Sequence, residues 1–222
     1  MGPPGNPGQV RPSMCSKGCN RQEAIMKNVV NLRSYANKTV VPTLVLLDLQ
    51  QEYIASPRLF AIPDVECALE NCRAVLRHCR QAGLPVAFLR MVGRSPFFNP
   101  ALSYSKWIPG FEPVNSDMIF ERDKPSCYAS REFANAMTEG GGHFVLAGFS
   151  GEAACLATVM EAFHRGHHVT FLADASASHG LDRITPQSVH ETVVQLIGLF
   201  GEVTTADQWV SEQTSGVALQ VR

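Results

Sequence analysis

The segment from Gly148 to Thr158 (GFSGEAACLAT) holds the residues best placed for chemistry. An apolar run precedes it and a helical pattern follows it, so a buried strand is expected to end in a tight turn that starts a helix. Backbone N–H groups at a helix start are unpaired and carry positive partial charge, which favours a thiolate and stabilises an oxyanion. Cys155 is therefore the candidate nucleophile; the alternative is a buried thiol that packs as a small apolar side chain.

Asp48 is a second candidate. It follows residues 40–47, an almost continuous β-branched and aliphatic run that is typical of a strand buried on both faces of a parallel sheet. An isolated carboxylate is costly to bury there, so it requires a partner or a function. As a catalytic group it would take a proton from a thiol and return it to a leaving amine. The structural alternative is a cap on the following loop.

The patterns around these residues predict one kind of fold. Apolar residues repeat at helical spacing from Val65 to Cys79, and Gly83 ends that helix. Further strands are predicted at residues 85–89, 144–147, 169–173 and 202–205, and further helices at 132–137, from the Gly148 turn to about 165, and at 188–199. Strands that alternate with helices predict an α/β protein, a three-layer αβα arrangement around a Rossmann-like parallel sheet of about six strands. The site is then expected at the carboxyl ends of the strands.

A long segment without clear periodicity covers residues 93–120. Its aromatic side chains are Phe97, Phe98, Tyr104, Trp107 and Phe111. A loop with this many rings is either a pocket wall or lid, which would suit a flat or cyclic substrate, or a subunit contact. Glu152 is expected either to be stabilised by the dipole at the helix start or to contact the substrate.

Composition limits the class of protein. The formal net charge of −1 over 222 residues gives no electrostatic footprint for nucleic acid, and no apolar run reaches the roughly 18 residues of a membrane span. Residues 1–22 predict a flexible N-terminal arm, which could lie on a neighbouring subunit, and residues 23–222 a single domain. Seven cysteines and no signal-peptide pattern indicate a reducing, cytoplasmic location. No glycine-rich phosphate-binding motif occurs, so no nucleotide cofactor is expected.

Three motifs together resemble the isochorismatase-like superfamily of cysteine hydrolases over about residues 40–210: LLDLQ around Asp48, RDKP around Lys124, and the Gly148 turn. The resemblance implies a cofactor-free hydrolase in which Asp48 exchanges protons and Cys155 attacks a small-molecule substrate. It places Lys124 between them, where its charge would favour the thiolate and hold Asp48 ionised. From composition alone, Lys124 would fit solvated surface equally well. A short spacing between Lys124 and the turn leaves Arg122 as an alternative.

The thiol departs from the family pattern by one residue. The family's nucleophile lies six residues after the turn glycine, which is Ala154 here. One residue on a helix is a rotation of about 100°, enough to turn a side chain from the cleft to the core. One explanation is that Ala154 is an engineered replacement of a nucleophilic cysteine. Another is that Cys155 is the nucleophile and the turn is shifted locally. Alternatively, the chain resembles the isochorismatase branch, which has a small residue before its cysteine, although Glu152 stands where that branch has histidine.

Further expectations follow from the resemblance. Ser150 and Gly151 correspond to the family's oxyanion-binding turn, with a cis Phe149–Ser150 bond, and Ala154 lies in the same turn. Relatives assemble, so a homo-oligomer is expected. The histidines that hold metal in related nicotinamidases have no counterpart soon after Asp48, so no metal is expected.

The favoured function is hydrolysis of a small amide, ureido or related C–N substrate through thiolate attack, an acyl-enzyme and water. One alternative is an isochorismatase-type ether hydrolase with Asp48 as general acid and no thiol. The other is an inactive relative that serves in binding or assembly.

Overall fold

The computed structural model describes residues 41–220, with side chains as far as Thr214. The arm predicted for residues 1–22 lies outside this range. The strands are β1 (Thr43–Leu47), β2 (Val86–Met91), β3 (Met118–Arg122), β4 (His143–Gly148), β5 (His168–Ser176) and β6 (Glu202–Thr204). All pair in parallel, in the order β3-β2-β1-β4-β5-β6. The prediction of an α/β fold with a parallel sheet of about six strands is confirmed.

Helices cover both faces of the sheet. They are α1 (Glu66–Ala82), α2 (Arg131–Glu139), α3 (Leu156–His164), α4 (Pro186–Ile197) and α5 (Ala206–Gln220). Side chains of β1 alternate between two cores: Leu44 and Leu46 pack with α1 and α5, while Val45 and Leu47 pack with α2, α3 and α4. Both sets are fully buried, as expected for a central parallel strand. None of the helices within residues 41–220 is long and apolar enough to span a membrane.

Two elements differ from the sequence analysis. Strand β3 lies in the segment expected to be a loop, because an edge strand that pairs only with β2 and exposes alternate side chains carries a weak apolar signal. Helix α5 was not predicted either; within its residues up to Thr214, Ala206 and Trp209 are buried and Val210 packs beside them.

The central strands bring the candidate residues to one edge of the sheet. Leu47 at the end of β1 pairs with Gly148 at the end of β4, so Asp48 lies beside the turn that follows β4. The backbone of Gly148 has φ +115°, and a Cβ there would lie 2.1 Å from the Leu47 carbonyl oxygen, so only glycine fits. On the other side of β1, the register of β2 and β3 pairs Met91 with Arg122.

Candidate active site

Asp48 is held by two donors below the carboxyl edge of the sheet. The Arg122 Nη2 atom lies 2.5 Å from Asp48 Oδ2, with both side chains fully buried. The Tyr53 hydroxyl donates to the same oxygen over 3.4 Å. Among the described residues, Asp48 Oδ1 has no hydrogen-bond partner. One oxygen of the carboxyl is therefore fixed by two hydrogen bonds, while the other accepts none within the described range, although the Met91 backbone N–H also favours the ionised form.

The protonation of Asp48 follows from this environment. Burial raises the pKa of Asp48 to about 6, because the charged form loses its hydration, and the Arg122 charge offsets only part of that effect. A carboxyl with this pKa can be protonated in mildly acidic solution and can donate that proton to a substrate. Asp48 can therefore act as a general acid.

Arg122, and not Lys124, is the cation beside Asp48. Arg122 ends β3 and its side chain turns into the protein, where it also donates to the Lys124 backbone carbonyl. The side chain of Lys124 is exposed. The placement of Lys124 between acid and nucleophile is thus corrected: the strand ends two residues before Lys124, and the chain leaves the sheet there.

The elbow, as we call residues 148–155, gives Ala154 and Cys155 different surroundings. A single π-helical turn from Gly151 to Cys155 precedes α3. Both residues are buried in the same apolar cluster, but Ala154 also lines the cavity described below, whereas Cys155 does not. Its sulfur lies 3.6 Å from the Gly148 carbonyl oxygen and 3.8 Å from Ser176 Oγ. Burial raises the pKa of the Cys155 thiol far above its ordinary value. Cys155 is therefore not placed as a nucleophile, contrary to the sequence expectation.

The backbone of the elbow also differs from an oxyanion-binding turn. The Phe149–Ser150 peptide bond is cis, as predicted. However, the Gly151 N–H donates to the Ala177 carbonyl over 2.8 Å, and the amides of Ala154 and Cys155 both donate to the Ser150 carbonyl over 3.0 Å. The donors expected at Gly151 and Ala154 are thus already used within the protein.

A cavity of about 950 Å³ opens at the carboxyl ends of the strands. Its aromatic wall consists of Tyr53, Phe60, Phe97 and Phe98, and its polar side chains are Arg94, Ser95, Asp123, Ser150, Glu152 and His179. Of the residues expected at a substrate pocket, Phe97, Phe98 and Glu152 line this cavity, as do Ser150 and Ala154 of the expected oxyanion-binding turn. Asp48 lies behind this lining, and Tyr53 connects it to the cavity.

Two predicted pocket residues do not reach the cavity. Phe111 is fully buried in the core, and the Arg73 guanidinium lies 5.0 Å from its ring centre. Trp107 packs edge-on against Phe88, with ring centres 5.5 Å apart. Both rings serve to attach the loop to the sheet, because large apolar side chains gain more from burial than from lining an open pocket.

His179 is a cavity residue that sequence reasoning missed. It follows β5, and its Nδ1 lies 2.8 Å from Glu152 Oε1. The hydrogen bond with Glu152 raises the pKa of His179. Burial is the largest influence on the pKa of Glu152 and acts to raise it, but the hydrogen bond and charge of His179, together with local hydrogen bonds, leave that pKa lowered. The sequence signal that could have identified His179 is its position just after the carboxyl end of a predicted strand. Within the described residues, no group of three His, Cys, Asp or Glu side chains could hold a metal ion.

Comparisons with known proteins agree with this fold. The family model for the isochorismatase domain matches residues 42–208. An isochorismatase of Bacillus subtilis (strain 168) is 24% identical over 154 residues, 63% of this chain and 49% of that protein. The chain thus spans about half the length of this curated relative. A crystal structure of an isochorismatase from Pseudomonas putida KT2440 has TM-score 0.71 and 24% identity, covering 76% of this chain and 90% of that one. The N-carbamoylsarcosine amidase of Thermoplasma acidophilum has TM-score 0.60 and 21% identity, covering 75% and 96%.

Proposed function

Because the chain belongs to the isochorismatase domain family of hydrolases, we propose that it hydrolyses an enol ether with Asp48 as general acid and without a thiol nucleophile. The observation that carries this proposal is the lining of the cavity at the elbow. Ala154 lines the cavity and Cys155 does not, so the cavity has no thiol at this position. The acid, by contrast, is present: Asp48 lies behind the cavity lining with its pKa raised to about 6.

The reaction needs one proton donor and one water. Protonated Asp48 gives its proton to the terminal carbon of the enol ether double bond, leaving an oxocarbenium ion. Water adds to the carbon that bears the ether oxygen and gives a proton to the Asp48 carboxylate, which restores the acid. In the resulting hemiketal the hydroxyl proton moves to the ether oxygen as the C–O bond to the alcohol breaks, which leaves a ketone and an alcohol. The carboxylate left behind is stabilised by Arg122, 2.5 Å away. Asp48 is fully buried in the free protein, so the substrate must enter past Tyr53 and Ala154 to reach it.

Asp48 Oδ1 is the oxygen that we assign as proton donor. Oδ2 accepts from Arg122 and Tyr53, so it holds the negative charge more easily than the proton. Oδ1 has no donor among the described residues, which favours the proton on that atom. The aromatic wall of Phe60, Phe97 and Phe98 suits a flat or cyclic ring in the substrate.

The pH dependence of turnover tests this mechanism. We expect kcat/KM for isochorismate, measured from acidic to mildly alkaline solution, to be highest below about pH 6 and to fall about tenfold per unit above it, because Asp48 must be protonated. Circular dichroism over the same range separates this effect from unfolding. A profile that instead rises with pH toward a thiol pKa would contradict the assignment of Asp48 as acid.

Hydrolysis of an amide or ureido substrate through Asp48, Lys124 and Cys155 has less support. That mechanism needs a thiolate in the cleft beside a cation, whereas the Cys155 sulfur is buried and the Lys124 side chain is exposed. The fold likeness to N-carbamoylsarcosine amidase is compatible with either chemistry, since sites on a shared fold can differ. A panel of amide, ureido and enol ether substrates distinguishes the two hydrolases, and no turnover of any would favour an inactive binding relative.

A matched pair of elbow variants tests the role of the thiol. Cys155→Ser should keep ether hydrolysis within about twofold and lower the free energy of unfolding by about 1–3 kcal/mol, because it buries a more polar hydroxyl. Ala154→Cys should place a thiol in the cavity that iodoacetamide labels, and the same variant is assayed for new amidase activity. Mass spectrometry after labelling identifies the modified residue. If the Cys155→Ser variant is folded but has no turnover, the thiol mechanism would be favoured over the thiol-free one.

A further inference from the structure

His179 approaches a hydrogen-bond acceptor with each of its ring nitrogens. Nδ1 lies 2.8 Å from Glu152 Oε1, and Nε2 lies 2.9 Å from the Phe60 carbonyl oxygen. The backbone N–H of His179 also donates to Glu152 Oε2 over 3.3 Å. A carboxylate and a backbone carbonyl can only accept, so both nitrogens must donate for both approaches to be hydrogen bonds.

A neutral imidazole cannot meet this requirement. It carries one N–H and one lone pair, so one of the two nitrogens would bring a lone pair against an acceptor oxygen. The carboxylate of Glu152 competes better for the remaining proton than a neutral carbonyl does, because charge-assisted hydrogen bonds are stronger. Deprotonation of His179 therefore breaks its hydrogen bond with the Phe60 carbonyl and keeps the one with Glu152.

The hydrogen bond with Phe60 joins the aromatic wall to the rest of the cavity. Phe60 lies in the segment after β1, while His179 follows β5 and Glu152 lies in the elbow. The Phe60 ring centre is 5.2 Å from that of Phe97 and 5.1 Å from that of Phe98. All of these residues line the cavity. His179 thus connects three separate segments around one binding space.

We propose that protonated His179 is a positioning residue that fastens the Phe60 wall of the cavity, and that loss of its proton releases this wall. The proposal rests on the proposed function only in taking this cavity as the substrate site. The predicted consequence for catalysis is a KM that rises as His179 loses its proton, which adds to the fall in kcat/KM that Asp48 imposes and is distinguished from it by measuring KM and kcat separately. The hydrogen bond with Glu152 raises the pKa of His179, so this transition lies at a higher pH than for an ordinary histidine.

The surroundings of His179 leave Glu152 as its dominant charged neighbour. Among the described residues, the ionisable side chains that contact the ring are Glu152 from the elbow and Tyr53 from the segment after β1, whose ring centre is 6.2 Å away. Burial holds Tyr53 neutral by raising its pKa. Arg94 and Asp123 line the same cavity.

A second contact in the same wall is an ion pair between Arg58 and Glu52. Glu52 is buried and accepts from Arg58 Nε over 2.8 Å and from Nη2 over 3.0 Å. The Arg58 guanidinium lies 5.1 Å from the ring centre of Phe97 and 4.4 Å from that of Tyr104. Release of His179 should therefore loosen the Phe60 segment and leave the loop around Phe97 attached.

Hydrogen–deuterium exchange tests the proposal without any substrate. Peptides covering residues 54–62 are compared at about pH 6 and about pH 8.5, with rates corrected for the intrinsic effect of pH. The wild-type protein should lose protection on the order of tenfold at the higher pH, the effect of leaving one hydrogen bond unmade. His179→Gln should exchange fast at both pH values. His179→Lys, which stays charged at the higher pH, should remain protected at both.

The control variant is His164→Gln, which changes an exposed histidine on α3 and should match the wild type. If His179→Gln still loses protection between the two pH values, the effect belongs to another ionisable group, Asp48 included, and the proposal is overturned. Equal protection at both pH values in the wild type would overturn it too. The exchange experiment does not depend on turnover, so its result can be interpreted even if the protein proves not to hydrolyse an enol ether.

Discussion

Asp48→Asn should lower kcat for enol ether hydrolysis by roughly a thousandfold, the usual contribution of a general acid. The amide has the shape of the carboxyl but no proton acidic enough to protonate carbon. Its carbonyl oxygen can still accept from Arg122, so the buried guanidinium keeps a partner and the fold should persist. Asn also tolerates the left-handed backbone of Asp48, which has φ 51°.

Asp64→Asn is the matched control for that experiment. Asp64 is exposed and has a similar φ of 54°, so the substitution tests the same change of side chain on the same backbone conformation. Steady-state kinetics in mildly acidic solution and thermal unfolding are measured for both variants. Asp48→Asn with near wild-type kcat and an unchanged melting temperature would remove Asp48 from the mechanism.

Asp48 could be predicted from sequence because its evidence is local. A carboxylate at the end of a strand buried on both faces needs a partner or a function wherever the rest of the chain lies. Gly148 could be predicted in the same way, because an apolar run precedes it and a helical pattern follows it. The structure gives the reason for glycine there: the Leu47 carbonyl leaves no room for a side chain. Both positions are set by the strand that precedes them.

The direction of side chains after those strands could not be predicted in the same way. Whether Ala154 or Cys155 faces the cavity depends on a π-helical turn, which has a different rotation per residue from an α-helix and leaves no sequence pattern of its own. Whether Arg122 or Lys124 meets Asp48 depends on where an edge strand ends. These are differences of one or two residues, smaller than the error of a boundary read from periodicity.

Interactions between distant segments were beyond the sequence altogether. His179 and Phe60 are 119 residues apart and meet only because β1 and β5 end at the same edge of the sheet. Trp107 and Phe111 share the aromatic character of Phe97 and Phe98 yet pack against the core away from the cavity. Composition identified the loop as aromatic, and only packing decides which rings reach the cavity.

Arg122→Met and Lys124→Met should have opposite outcomes, although they place the same side chain two residues apart. Removing Arg122 leaves Asp48 buried without its counter-charge, which costs about 3–5 kcal/mol of unfolding free energy when the carboxyl is ionised. Turnover should fall by about 10²-fold or more, because the carboxylate formed on proton transfer loses its stabilising charge. Lys124 is exposed, so its variant should stay within about 0.5 kcal/mol and twofold in kcat.

The pH dependence of stability makes this pair decisive. The pKa of Asp48 in the folded protein, about 6, is above its unfolded value, so its contribution to stability is complete below the unfolded pKa and is lost as pH rises through about 6. Without Arg122 that pKa rises further, and the loss becomes larger. The cost of Arg122→Met should therefore be small at about pH 5, where Asp48 is protonated, and large at about pH 7.5.

Arg122→Lys should restore part of both stability and turnover, since it returns a charge without the planar guanidinium. Urea unfolding at the two pH values measures the stability difference. A cost that does not change with pH, or a larger loss of activity in Lys124→Met than in Arg122→Met, would return the cation's role to Lys124.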